Sequence, residues 1–135
     1  PSVRPGLLSC LMDGGYVPVV APVAEGPDGR PLNINADYAA GAIAGALQAG
    51  YFVLMSDVPG VLDKNHVLLP RLTRKDIEDL KADGTISGGM IPKVDACLSA
   101  LDHGCRRSLI LNGSEPSALR RYLTGGEALG TVIED

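Results

Sequence analysis

The sequence predicts an α/β layered domain built on a largely parallel sheet, and three observations carry that prediction. Helical and β-prone segments alternate nearly to the end of the chain, and parallel strands need crossover connections of the kind that helices supply. Tight-turn residues gather in "EGPDGRP", so one hairpin is the antiparallel feature expected. The chain has 135 residues with a hydrophobic fraction of 45%, which suits one domain with a sizeable core.

The elements follow in order. "PGLLSCLMDGG" places Leu7, Leu8, Leu11 and Met12 at helical spacing, and "YVPVVAPV" then reads as an apolar strand. Val23 to Leu32 reads as a hairpin-like excursion. "NADYAAGAIAGALQAG" is a helix of small residues, with Asn35 as its cap and Asp37 in its first turn, where a carboxylate gains from the helix dipole. "YFVLMS" is a buried strand, followed by the loop "DVPGVLDKNH" and a short extended piece over 67–72. Thr73 with Asp76 predicts a capped helix in "TRKDIEDLKAD", ended by Gly84. After "GTISGG", the segment from Met90 to His103 carries Val94, Cys97, Leu98 and Leu101 on one helical face, and "RRSLILN" follows as a strand. Ser114 is read as the cap of a helix in "EPSALRRYL", and "GTVI" as a last short strand.

Composition narrows the partners. Twelve bases against sixteen acids give a formal charge of −4, and no basic stripe is present to follow a nucleic-acid backbone. The uncharged run from Tyr38 to Met55 divides into a small-residue helix and a β-prone strand, so no membrane span is expected. Cys10, Cys97 and Cys105, without a signal-peptide pattern, fit free thiols in a reducing cytoplasm. His103 and Cys105 would make half a metal site with His66 the only other imidazole, so no metal cage is expected.

In an open parallel sheet, ligands collect beyond the carboxyl ends of strands, and three loops hold that position: "NINAD", "SDVPGVL" and "TISGGMIPK". Capping alone accounts for Asn35 and Asp37, but less well for Asn33. The Ser56–Asp57 turn through Pro59 and Gly60 is also explicable as a turn. In the third loop Gly88 and Gly89 let the backbone approach a ligand, and Pro92 suits a first helical turn, which puts Lys93 there too. A cation at that end opposes the helix dipole at about 0.3–1 kcal/mol. Either function carries that cost or Lys93 is a solvated surface lysine near Asp95. A carboxylate and a lysine on separate loops suit phosphoryl transfer, which rests on positioning and charge stabilisation. Neither a GxxxxGK[ST] loop nor a GxGxxG fingerprint is present.

Read together, "GYVPVVAPV", "LNINADYAAGAIAGAL", "SDVPGVLD", "DGTISGGMIPKV" and "LGTVI" closely resemble, in this order, the C-terminal half of the acetylglutamate kinases of the amino acid kinase superfamily. The resemblance implies a three-layer α/β sandwich of the carbamate kinase-like kind, with residues 1–135 forming the ATP-binding C-terminal lobe. It implies ATP-dependent phosphorylation of the side-chain carboxylate of N-acetyl-L-glutamate in arginine biosynthesis, with Mg2+ bound mainly through the phosphates. By motif position Asn33 resembles the residue that binds acetylglutamate, Asp37 the organiser of the lysines around the phosphates, and Lys93 the lysine that stabilises the transferred group. Asp57, Val58, Pro59, Gly60, Val61 and Leu62, with Thr85, Ile86 and Ser87, resemble the two nucleotide-binding loops. No metal-ligating residue is assigned.

The departures shape the expectation. The family's N-terminal half carries a KxGG strand end, a glycine-rich substrate loop and an arginine for the substrate's α-carboxylate, and none is in this sequence. The chain is therefore expected to be inactive alone and to need an N-terminal half of the same enzyme as partner. Ser117 and Tyr122 stand where arginine-inhibited members have His and Glu, which puts feedback inhibition in question. Homo-oligomerisation of the full-length protein and docking on a nitrogen-regulatory protein are further expectations from the family. Two other readings stay open: a non-catalytic nucleotide-sensing or interaction module, and a kinase for carrier-bound aminoadipate or glutamate.

Overall fold

A computed structural model describes residues 3–126 and 129–135. The chain begins with helix α1 (Gly6–Asp13), then forms a hairpin of β1 (Val23–Glu25) and β2 (Pro31–Asn33). Helix α2 (Ala36–Ala46) leads into β3 (Phe52–Ser56), and the short strand β4 (Arg71–Leu72) into α3 (Arg74–Ala82). Helix α4 (Met90–Asp102) precedes β5 (Ser108–Asn112), and α5 (Ala118–Gly125) precedes β6 (Thr131–Ile133). The main sheet has the order β3-β5-β6-β4.

Two of the three pairings in that sheet are parallel, β3 with β5 and β4 with β6. The expectation that the hairpin would be the one antiparallel feature is corrected: β6 pairs antiparallel to β5, with Thr131 opposite Ile110. Strand direction depends on which end of its neighbour the chain returns to, and three residues of "TVI" carry no sign of it. At Gly130, with φ +76°, an added Cβ would run into the Ile110 carbonyl, so the return beside β5 is close as well as left-handed.

Strand β5 is buried along Ser108–Leu111, which requires cover on both faces. Ile110 joins a core cluster that includes Ala44 of α2, Ile77 of α3 and Val94, Ala96, Cys97, Ala100 and Leu101 of α4. Leu111 turns the other way and shares a cavity with Ala118 of α5. Helices thus cover both faces, the three-layer arrangement expected. The α2/α4 contact is tight because both helices are small where they meet. A Cβ on Gly41 would lie 2.8 Å from the Ala96 carbonyl oxygen, and one on Gly45 would strike the His103 Cβ.

Two further expectations are corrected. Residues 16–22 form no strand, and Val17 and Val19 are 88% and 95% exposed. A strand is a pairing and not only a propensity; among the described residues no strand pairs with this stretch, although the Ile34 N–H donates to the Pro22 carbonyl at 2.8 Å, and Pro18 and Pro22 each remove a ladder donor. Ser114 does not cap α5: its N–H donates to Asn112 Oδ1 at 2.9 Å, and the helix starts after Ser117, which has φ +59° and makes no side-chain cap. The Tyr38–Met55 run does divide into α2 and β3, and among the described residues no helix is long and apolar enough to cross a membrane.

Candidate active site

Strands β3 and β5 end side by side, with Ser56 opposite Asn112, and the Gly113 N–H donates to the Ser56 carbonyl at 2.7 Å. Helices α2 and α4 each run back into the start of one of these strands, so their N-termini point to the carboxyl edge of the sheet. The loops after β2, after β3 and before α4 therefore meet at one edge, the position where parallel sheets bind ligands.

Asn35 organises the first of them. Its Oδ1 accepts from the backbone N–H of Asp37 at 3.0 Å and of Tyr38 at 3.2 Å, satisfying two orphan donors of α2. With capping done by Asn35, the Asp37 carboxylate is left for another partner, the Lys93 ammonium at 3.2 Å. The two side chains are only 21% and 23% exposed. Asp95, the neighbour considered for Lys93 from sequence, pairs instead with Lys81. Lys93 is the fourth residue of α4, and the cost of a cation near a helix N-terminus is met by the opposed carboxylate. Asn33 lies in β2, exposed and paired with Val23.

The second loop is pinned from behind. Buried Thr131 accepts from the Val61 N–H at 2.8 Å and donates to the Leu69 carbonyl at 2.7 Å. A Cβ on Gly60 would lie 2.6 Å from Thr131 Oγ1, so only glycine fits. At the front, Ser56 Oγ donates to Asp57 Oδ1 at 3.2 Å. In the third loop Ile86 is buried and its N–H reaches the Leu80 carbonyl at 2.9 Å. Gly88 has φ +53°, whereas Gly89 has an ordinary φ of −66°. Added Cβ atoms at both would meet nothing within 4 Å, so no protein atom requires the bareness of Gly89.

Val58, Gly60, Val61 and Leu62 face Thr85, Ser87 and Met90 across a cavity of about 170 Å³. Pro59 turns to a second cavity of about 240 Å³, lined also by Leu111, Asn112, Glu115 and Leu129. Sequence reasoning did not single out that second cavity. It also missed Lys64 and Asp83, whose ion pair of 3.1 Å joins the segment after the second loop to the start of the third. The Asp83-x-Thr85 spacing, typical of an Asx turn, was the available signal. Thr85 donates its hydroxyl and its N–H to Asp83 Oδ1 at 2.6 and 2.9 Å. Those two donors, then Lys64, hold the Asp83 carboxyl down to about 2. Among the described residues no group of three His, Cys, Asp or Glu side chains is placed to hold a metal ion.

The chain is 51% identical to the acetylglutamate kinase of Sphingopyxis alaskensis over 98% of its own length and 44% of that protein's. It thus spans less than half the length of that curated relative. N-acetylglutamate synthase from Neisseria gonorrhoeae, complexed with coenzyme A and L-arginine, superposes with a TM-score of 0.88 at 23% identity, over 96% of this chain and 30% of that one. Carbamate kinase from Giardia lamblia bound to AMP-PNP superposes with a TM-score of 0.68, also at 23% identity, over 96% of this chain and 44% of that one. These superpositions establish a shared fold. Residues 2–112 match the amino acid kinase family, and to that family the chain belongs.

Proposed function

We propose that this chain is the nucleotide-binding lobe of an acetylglutamate kinase and takes part in phosphoryl transfer from ATP to the side-chain carboxylate of N-acetyl-L-glutamate, in arginine biosynthesis in the cytoplasm. The observation that carries the reading is the half-buried Asp37–Lys93 pair beside the open Gly88–Gly89 turn. In the reaction a carboxylate oxygen of acetylglutamate attacks the γ-phosphorus, the bond from that phosphorus to the β,γ-bridging oxygen breaks, and ADP leaves an acyl phosphate. No proton has to move, so the task is to hold the groups in line and neutralise charge.

Lys93 supplies a point charge to the transferred group, and Asp37 fixes where that charge sits. Asn33 contacts acetylglutamate. Residues 57–62 and 85–87 hold the nucleotide from two sides, with Gly89 leaving backbone open to the phosphates. Mg2+, which neutralises phosphate charge, would be carried chiefly by the phosphates themselves. The rest of the acetylglutamate pocket and a second charge-stabilising lysine are assigned to an N-terminal half, without which these 135 residues would be inactive. Full-length homo-oligomers and a nitrogen-regulatory partner belong to the same proposal.

The test joins this chain to the part of the Sphingopyxis kinase that it does not match and traps the acyl phosphate with hydroxylamine. Hydroxamate should form only with both ATP and acetylglutamate, and Lys93→Ala should slow it by roughly 100-fold or more, the scale of losing one charge-stabilising donor. A Lys93→Ala fusion as fast as its parent would remove the lysine from the mechanism.

A further inference from the structure

Lys64 and Asp83 have no assigned role among the site residues discussed above, yet together they connect the two loops that face each other across the 170 Å³ cavity. The connection is built in steps. Asp63 Oδ1 accepts from the N–H groups of Asn65 and Val67, both at 2.8 Å, which folds the segment after Leu62 into a tight turn and fixes where Lys64 leaves the chain. The turn is closed by a bridge between Leu62 and Leu68. On the other side Asp83 caps the C-terminus of α3, and its Oδ1 accepts twice from Thr85 while Oδ2 faces the Lys64 ammonium.

We infer that Asp83 is a positioning residue which, with Lys64, clasps the two loops and sets the width of the cavity between them; the inference rests on the nucleotide reading proposed above. Thr85 and Leu62 line that cavity, and the clasp holds one directly and the other through its next-but-one neighbour. The Lys64 and Asp83 side chains are 62% and 47% exposed, and exposed pairs add little to stability. The clasp therefore acts on the separation of the loops and not on the survival of the fold. Nucleotide affinity is sensitive to such a separation, because misplacing a binding group by an ångström weakens everything it was placed to do.

The experiment measures MgATP binding by calorimetry, thermal midpoints and amide exchange at 85–87 for the chain and its variants. Asp83→Ala, which removes both halves of the clasp, should weaken MgATP about tenfold and speed exchange at 85–87, with the midpoint moved by no more than about 2 °C. Asp83→Asn keeps an acceptor for Thr85 and loses the charge, so it should restore most of the affinity, leaving a loss of about threefold that Lys64→Ala reproduces. The Lys64→Ala/Asp83→Ala double variant should bind no more weakly than Asp83→Ala, since the two residues act through one contact. Equal affinity in Asp83→Ala and the unaltered chain overturns the clasp alone. An affinity loss that only tracks a loss of stability overturns it as well. An unaltered chain that is folded and does not bind MgATP overturns the nucleotide reading, and the clasp with it.

Discussion

Replacing Gly41 by alanine sets two effects of opposite sign against each other at the contact that supports the candidate site. In a helix interior alanine is favoured over glycine by about 1 kcal/mol, so at a solvent-facing position the change would stabilise. Gly41 instead faces the α4 backbone, where a Cβ would lie 2.8 Å from the Ala96 carbonyl oxygen. That atom is main chain, so it cannot swing aside, and the helices must move apart by several tenths of an ångström. Overpacking of this kind costs about 1–3 kcal/mol. The net expectation is a loss of about 1 kcal/mol, or a thermal midpoint lower by about 3–4 °C for a domain of this size. Asp37 and Lys93 lie about one turn before Gly41 and Ala96, so the same movement lengthens their 3.2 Å pair and should weaken MgATP. Gly89→Ala, where a Cβ meets no protein atom within 4 Å, is the control and should leave the midpoint unchanged. Thermal unfolding and calorimetry on both variants decide the matter; a Gly41→Ala chain as stable as the parent, or more so, would refute the packing argument.

Thr131→Val keeps shape and removes the hydroxyl that serves Val61 and Leu69; leaving those backbone groups unpaired should cost about 2 kcal/mol in urea unfolding, with the slope unchanged. Thiol titration of the native chain should modify exposed Cys10 quickly and buried Cys97 and Cys105 only on unfolding. Burial pushes the Cys97 thiol from 9.0 up to about 12. The unfolded thiol then releases its proton first, so this group takes stability away as pH rises from about 9 towards 12, by up to about 1.4 kcal/mol per pH unit. Comparing the chain with Cys97→Ala between pH 8 and 10 checks this, since the variant should lack that component of the slope.

What the sequence made legible was local. Asn35 before α2, and Thr73 with Asp76 before α3, are caps whose partners lie within three residues, and both form as read. The hairpin followed from its turn residues. Where partners are distant, composition misled: 16–22 has the residues of a strand but no described strand beside it, and "TVI" does not encode that it runs against β5. The candidate site lies between these extremes. Asp37 and Lys93 were conspicuous as polar residues at helix starts, but their contact spans 56 positions and depends on two glycines bringing α2 onto α4. The Asp83-x-Thr85 spacing offers a local turn signal, but the pairing of Asp83 with Lys64 joins positions 19 apart and is not legible until the loops are folded.

The most direct test of the central claim is a calorimetric titration of MgATP into the folded 135-residue chain, with Lys93→Ala and Asp37→Asn alongside. The account predicts saturable binding that weakens at least about tenfold in Lys93→Ala, and less in Asp37→Asn, which keeps its place in the helix but no longer fixes the lysine by charge. Binding of equal strength in all three chains would contradict it, because the nucleotide would then be held without the pair around which the site is built.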